Sequence, residues 1–399
     1  MTDGTNAVDV QIEEREKPMF SIAFPPPRLI DSTLRDGEQS PGVAFSRKEK
    51  LDIVRMLNQA GIDEIEAGTP AMGEAVCDTI RRIVGLRLPA RICVWSRALE
   101  RDIEQCASTN AEAIHIAFPV SGRQLQAMDK DWDWVEERLG KVVEHARKYF
   151  NYVSVGAQDA SRSDVEHLIR FIDIADGLNV SRLRIADTVG MFTPVAILHL
   201  FEQIRMLYPT LPIDFHGHND LGMATANALT AWQAGATDLS VTVNGLGERA
   251  GNAALEEVVM AMSQACHLVK YRTKGLFELC EYVAKASGRE IPENKPVCGS
   301  LVFTHESGVH SRCVLKDPVS FQAFDGSLVG RETTSNVFGK HSGTASLRHF
   351  LNENKLSITD MQLSVLLAKI KMIAQKNKRN VSLNEILKEY QLVVKRCAV

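Results

Sequence analysis

Two histidines, His216 and His218, stand two residues apart at the end of a short apolar run, 211–215. In a strand, side chains at i and i+2 leave the same face, so both imidazoles converge on one point at the strand's C-terminal end. Paired imidazoles at that spacing suit a divalent metal ion. Asp36 offers a carboxylate to such a centre, Asn252 an amide oxygen, and Arg35 a guanidinium beside Asp36. An oxygen-rich shell with two imidazoles and room for a substrate suits a catalytic ion acting as a Lewis acid; magnesium, manganese and zinc all remain open. The arginine could bind a carboxylate or steady a developing enolate or alkoxide. Plainer readings stand beside these: Asp36 as a turn residue before Gly37, Asn252 as a helix cap, Arg35 as the partner of Glu38 or Glu66. The glycine-rich run 245–251 allows close backbone approach to a phosphate or an acyl thioester, but no Walker lysine follows it.

Short β-like runs alternating with helical patterns must carry these residues. The strands are expected at 28–34, 64–67, 91–95, 113–118, 152–155, 182–186, 213–215 and 239–243. Helices are expected at 46–60, 73–84, 99–108, 132–149, 224–233 and 253–266, and two more open at 163 and 193. Ser46 with Glu49 forms a capping box and Gly61 is a stop signal, while Thr193-Pro194 is a cap followed by proline in the first turn. Eight such pairs match an α/β fold, the closed (β/α)8 TIM barrel, with an open doubly wound sheet as the second choice. The strands read as apolar and the polar residues as gathered at their C-terminal ends, among them Ser121, Gln158 and Thr188. That is where barrel enzymes do chemistry. In a closed barrel the first strand neighbours the eighth, which brings Asp36 and Asn252 to the two histidines.

The organisation expected from the sequence is a flexible arm over 1–27, a barrel over 28–275, a linker over 276–298 and a smaller, mostly helical region over 299–399. In the last region, 361–374 is apolar at helical spacing and reads as packing. Of 399 residues, 45% are hydrophobic and 24% charged, with a formal net charge of -4, which argues against a general nucleic-acid binder. No apolar stretch reaches the ~20 residues of a membrane span, and the polar start holds no apolar signal core. Eight cysteines without a Cys-x-x-Cys pair read as reduced thiols of a cytoplasmic protein.

The run Ile30-Asp31-Ser32-Thr33-Leu34-Arg35-Asp36-Gly37-Glu38-Gln39 resembles the opening signature of the metal-dependent barrel family of isopropylmalate, homocitrate and citramalate synthases. His218-Asn219-Asp220-Leu221-Gly222 and the loop 244–252 are similar to its second and third signatures, and the likeness runs from 28 to 343. Gly68-Thr69-Pro70-Ala71-Met72-Gly73, Asp159-Ala160-Ser161-Arg162, the run 302–310 and Phe338-Gly339-Lys340-His341-Ser342-Gly343 resemble homocitrate synthases of the nitrogen-fixation type.

The resemblance implies a Claisen condensation of acetyl-CoA with a 2-oxo acid, 2-oxoglutarate giving homocitrate, followed by thioester hydrolysis. It makes Asp36, His216 and His218 metal ligands, with Asn252 a weaker fourth. It gives Arg35 the keto oxygen, and it gives Gln39, Thr188 and Ser121 contacts to the 2-oxo acid. It makes His310 an acid/base donated by the second region of a partner subunit, hence a homodimer. Two residues depart from the pattern. Gln158 stands where relatives carry glutamate, and Phe321 where they carry tyrosine; glutamine cannot usefully take up a proton and phenylalanine cannot donate one. The same chemistry on pyruvate, 2-oxoisovalerate or oxaloacetate is an alternative. Another is a weakly active homologue that binds metal and 2-oxo acid. The chain stops soon after the shared second region, without the long regulatory domain of typical isopropylmalate synthases, so leucine feedback is not expected.

Overall fold

Eight parallel strands close into a barrel in sequence order, with β1 hydrogen-bonded to both β2 and β8. The structure, a computed structural model, describes residues 25–314, 316–331 and 335–396. The strands are β1 (Arg28–Asp31), β2 (Glu64–Glu66), β3 (Arg91–Arg97), β4 (Ala113–Pro119), β5 (Tyr152–Gln158), β6 (Arg182–Asp187), β7 (Ile213–Gly217) and β8 (Asp238–Val241). The helices between and after them are α1 (Arg47–Ala60), α2 (Glu74–Val84), α3 (Glu100–Ala107), α4 (Gly122–Ala127), α5 (Trp132–Ala146), α6 (Val165–Gly177), α7 (Pro194–Leu207), α8 (Ala224–Gln233) and α9 (Leu255–Ala265).

Local sequence chemistry sets several of these boundaries. At α1 the Ser46 hydroxyl accepts from Glu49 N, the Glu49 carboxylate accepts from Ser46 N, and Gly61 ends the helix in the left-handed region. Thr193 caps α7 and Pro194 fills its first turn. One short helix, α4, was not foreseen; Ser121 caps it by accepting from Gln124 N.

Apolar side chains leave the outward faces of the strands and meet the helices. Leu29, Ile65, Val94, Ile114, Ile116, Val155, Leu183, Ile185, Ile213, Phe215 and Leu239 belong to one continuous core with helix residues such as Leu57, Ile80, Leu139, Phe171 and Phe201. The expectation of apolar strands needs correction on the inward faces. Glu64, Glu66, His115, Ser154, Arg182, Arg184, Asp214, Asp238 and Ser240 are all buried at alternate strand positions. They pair with one another: Arg182 Nη2 lies 2.7 Å from Glu64 Oε1, and Arg184 Nη1 lies 2.7 Å from Glu66 Oε1. Arg184 Nε also donates to Asp214, and Ser240 donates to the same carboxylate. Paired and hydrogen-bonded charges tolerate burial that a lone charge would not.

The segment 276–298, expected as a linker, begins with helix α10 (Leu276–Ser287), whose Leu276, Leu279, Cys280 and Val283 are buried in the barrel core, as are Val297 and Cys298 beyond it. It is part of the barrel's packing and not an exposed connector. Residues 1–24 of the expected arm lie outside the described residues. Pro25 O accepts from Trp232, and Pro27 O accepts from Lys270 and Tyr271, which holds residues 25–27 to the barrel.

Beyond this come a short parallel pair, β9 (Thr304–His305) with β10 (Ser335–Asn336), and helices α11 (Gly308–Val314), α12 (Thr344–Glu353), α13 (Asp360–Asn377) and α14 (Leu383–Arg396). Leu347, Leu351, Leu363, Leu366, Ile370 and Ile386 form a second, separate core there. Among the described residues no helix is long and apolar enough to cross a membrane.

Candidate active site at the barrel mouth

The inward register of β7 runs Asp214, His216, His218, so the two histidines continue at the mouth the face that Asp214 occupies deeper in the barrel. Gly217 between them must lack a side chain, because a Cβ would lie 2.8 Å from the Phe215 ring. Asp36 follows β1 and opens a single helical turn, Gly37–Gln39. Asn252 pairs with His218 as an isolated antiparallel bridge. The loop before it turns tightly at Gly251, where φ is 83° and a Cβ would stand 1.9 Å from Gly245 O, so only glycine fits.

Strand and loop together bring His216 Nε2 to 3.2 Å and His218 Nε2 to 3.7 Å from Asp36 Oδ2. One ligand atom from each of Asp36, His216 and His218 lies within 4.8 Å of the others, and all three residues are buried. Asn252 Nδ2 donates to Asp36 Oδ1 at 3.2 Å and to Leu246 O at 3.0 Å. Its Oδ1 is left buried without a partner, and so is Nδ1 of each histidine. Buried polar atoms are rarely left so, and two imidazoles converging on a carboxylate through their Nε2 atoms fit a divalent cation.

Electrostatics keeps the donors in their ligating forms. Burial opposes ionisation of Asp36, but the Arg35 guanidinium and then His216 outweigh it and hold the carboxyl well below its usual range. Burial, and then the neighbouring His216, push the His218 imidazole down to about 4, so it is neutral near pH 7. Arg35 lies 2.8 Å from Asp36 Oδ2 and 2.9 Å from Glu66 Oε2, which places its guanidinium at the cavity edge of the cluster.

A cavity of about 230 Å³ opens beside this cluster. Arg35, Asp36, Gln39, Gln158, Thr188, His216 and His218 line it, so seven of the residues singled out from the sequence meet at one place. Asn252, Ser121, His310 and Phe321 do not line it. Asn252 lies behind Asp36, in contact with that carboxylate. Ser121 is fully buried, with its hydroxyl donating to the Asp159 carboxylate and capping α4; a direct contact to a substrate is not available to it here. His310, on α11, is exposed and stacks on Phe321 with ring centroids 4.2 Å apart. The cavity wall also contains Trp95, Glu248 and Arg249, strand-end residues to which the sequence reading assigned no role of their own, and His115 and Arg184, which it passed over. A signal for two of them existed, since His115 and Arg184 sit at inward positions that alternate with apolar neighbours along β4 and β6.

The chain is similar to known proteins over nearly its whole length. Residues 26–283 match the HMGL-like family model, and residues 297–378 match the homocitrate synthase post-HMGL domain-like model. 2-isopropylmalate synthase 2 of Caldanaerobacter subterraneus subsp. tengcongensis is 41% identical over 96% of this chain and 97% of its own. Homocitrate synthase 1 of Nostoc sp. is 39% identical over 90% of this chain and 95% of its own. Homocitrate synthase of Frankia alni is 42% identical over 82% and 93%. Among solved structures, the HMG-CoA lyase of Bacillus subtilis shares the fold, with a TM-score of 0.62 at 20% identity, over 68% of this chain and 97% of that one. The closed barrel and these matches together make the chain a member of the HMGL-like enzyme family, alongside homocitrate, 2-isopropylmalate and (R)-citramalate synthases.

Proposed function

We propose that this protein is an acyltransferase that condenses acetyl-CoA with 2-oxoglutarate, giving homocitrate and CoA. The observation that carries the reading is the cluster of Asp36, His216 and His218, with both Nε2 atoms turned to one carboxylate, set beside Arg35 at the wall of a cavity. Asp36, His216 and His218 would hold a divalent ion, with Asn252 Oδ1 as a fourth donor. Such an ion supplies Lewis acidity to a keto oxygen. Arg35 turns a guanidinium to the same oxygen and stabilises the negative charge that develops when the enolate of acetyl-CoA adds to the keto carbon. Gln39 and Thr188 orient the 2-oxo acid from the cavity wall. Water then cleaves the thioester and CoA leaves as the thiol.

The proton leaves the acetyl methyl group and one is returned to the new alkoxide. His310 of a second copy of the chain fits that task, because in its own chain it stands exposed on α11 and away from the cavity wall. This makes the working unit a homodimer in the cytoplasm. Gln158 occupies the cavity wall where a carboxylate would assist that histidine. The names of the relatives divide among three 2-oxo acid chemistries, so pyruvate and 2-oxoisovalerate are the competing substrates.

A thiol-release assay with acetyl-CoA, a divalent ion and a panel of 2-oxo acids tests the reading. CoA release is expected to be fastest with 2-oxoglutarate. Faster release with pyruvate, oxaloacetate or 2-oxoisovalerate would reassign the substrate, and no release with any of them would refute the activity.

A further inference from the structure

We infer that Arg184 is the residue that selects a dicarboxylic 2-oxo acid, by receiving its distal carboxylate at the floor of the cavity. This rests on the proposed function and specifies which part of the barrel reads the substrate's tail.

Arg184 reaches the cavity from β6 although it is almost wholly buried. Its Nε donates to Asp214 and its Nη1 pairs with Glu66 at 2.7 Å, but Nη2 has no hydrogen-bond partner. Arg182, one inward step lower, directs both Nη atoms to Glu64 and Asp238 and takes no part in the cavity wall. The two neighbouring arginines on one strand therefore differ in that Arg184 lines the cavity and keeps one buried terminal donor without a partner.

Nη2 is itself buried, but along the path to it the strands present small residues to the cavity. Three adjacent strands turn Ala117, Gly156 and Ala186 into the cavity, and none carries more than a methyl group. Gly156 has no alternative, since a Cβ there would stand 2.6 Å from His115 Nε2. His115 lines the same floor, with Nδ1 2.9 Å from the Ser154 hydroxyl. Burial, and then the charge of Arg184, hold its pKa well below the usual range, so it is neutral. When Nδ1 accepts from Ser154, Nε2 is a second donor facing the floor.

The spacing matches the substrate. Ala186 is level with His216, and Arg184 is level with Asp214, one inward step or ~6.6 Å further from the mouth. A 2-oxo acid held at the histidines by its C1 and C2 oxygens, with a carboxylate two methylenes beyond the keto carbon, reaches that depth. A branched apolar tail would instead leave the buried Nη2 without an acceptor.

Calorimetry on the Mn²⁺-loaded protein tests this with 2-oxoglutarate and 2-oxopentanoate, which has the same chain length but ends in a methyl group. A charge-assisted pair predicts a preference for 2-oxoglutarate of at least about tenfold. Arg184→Lys keeps the charge that Glu66 and Asp214 require but shortens and blunts the donor, and it should reduce that preference several-fold. Ala117→Leu leaves the buried ion pairs untouched and closes the path, so it should do the same. Wild-type protein that binds both acids equally, or an unchanged preference in folded Arg184→Lys and Ala117→Leu proteins, overturns the assignment while leaving the condensation intact. Failure of every 2-oxo acid to bind would overturn the proposed function itself, and this assignment with it.

Discussion

Among the described residues two buried clusters carry metal-binding residue types, and only one of the two has the attributes of a site. Asp36, His216 and His218 form the first, and Glu256, Cys280 and Cys298 the second; in each, ligand atoms lie within 4.8 Å of one another. At the barrel mouth both imidazoles and the Asn252 amide keep unpaired atoms, and a cavity gives access. In the second cluster Lys295 Nζ already stands 3.1 Å from Glu256 Oε1, so an ammonium fills the place of a cation. Cys280 is held in its thiol form by Cys298 and by burial, which raise its pKa. Neither cysteine lines the cavity at the mouth. Ligand types at short range are therefore not enough; free lone pairs and a route in make the difference.

The largest expected effect that separates the two clusters is on stability. Lys295→Met leaves the fully buried Glu256 carboxylate without its cation, and losing one partner of a buried pair costs about 3–5 kcal/mol. Chemical denaturation should show that loss with no change in bound-ion stoichiometry. A cost below about 1 kcal/mol, the range of an exposed pair, would mean that Lys295 does not compensate Glu256.

An effect of comparable size depends on pH. Asp31 is buried and accepts from Thr33 N and Thr33 Oγ1, and burial pushes its carboxyl up to about 7, with the charges of Glu66 and Glu256 adding to the shift. The native state thus holds a proton that the unfolded chain releases near the ordinary value of 3.8. Stability from this group falls as pH rises from about 4 to about 7 and is level above that. Asp31→Asn removes the slope, so its stability relative to wild type should improve across that window. A difference that does not vary with pH would contradict the assignment. Smallest of all, Cys298→Ala should leave bound-ion stoichiometry unchanged and alter stability by ~1 kcal/mol; a lost ion equivalent would promote the second cluster to a metal site.

The barrel was legible because its rules are local. Capping at Ser46, Gly61 and Thr193, and the alternation of short apolar runs with amphipathic ones, set the elements, and the spacing of His216 and His218 set the direction of two side chains. What escaped depends on closure. Alternating polar residues in a strand ordinarily face water, whereas here Glu64, Glu66, Arg182, Arg184 and Asp214 face one another across the inside of a closed sheet. The ends of β3 to β7 were read short, and those of β1, β2 and β8 long, for a related reason. β5 extends to Gln158 through Gly156 and Ala157, residues with little strand preference that the neighbouring strands hold in register. The packed role of 276–298 was hidden because polar residues are interspersed with the apolar positions of α10 that seal the core, Leu276, Leu279, Cys280 and Val283 among them.

The central claim is that the Asp36–His216–His218 cluster binds a divalent ion and that 2-oxo acid binding depends on it. Titration of wild-type and His218→Ala proteins with Mn²⁺, and then with 2-oxoglutarate, tests it most directly. One equivalent of ion, 2-oxoglutarate binding only in its presence, and loss of both in a folded His218→Ala protein are the predicted results. Unchanged 2-oxoglutarate affinity in His218→Ala would contradict the account.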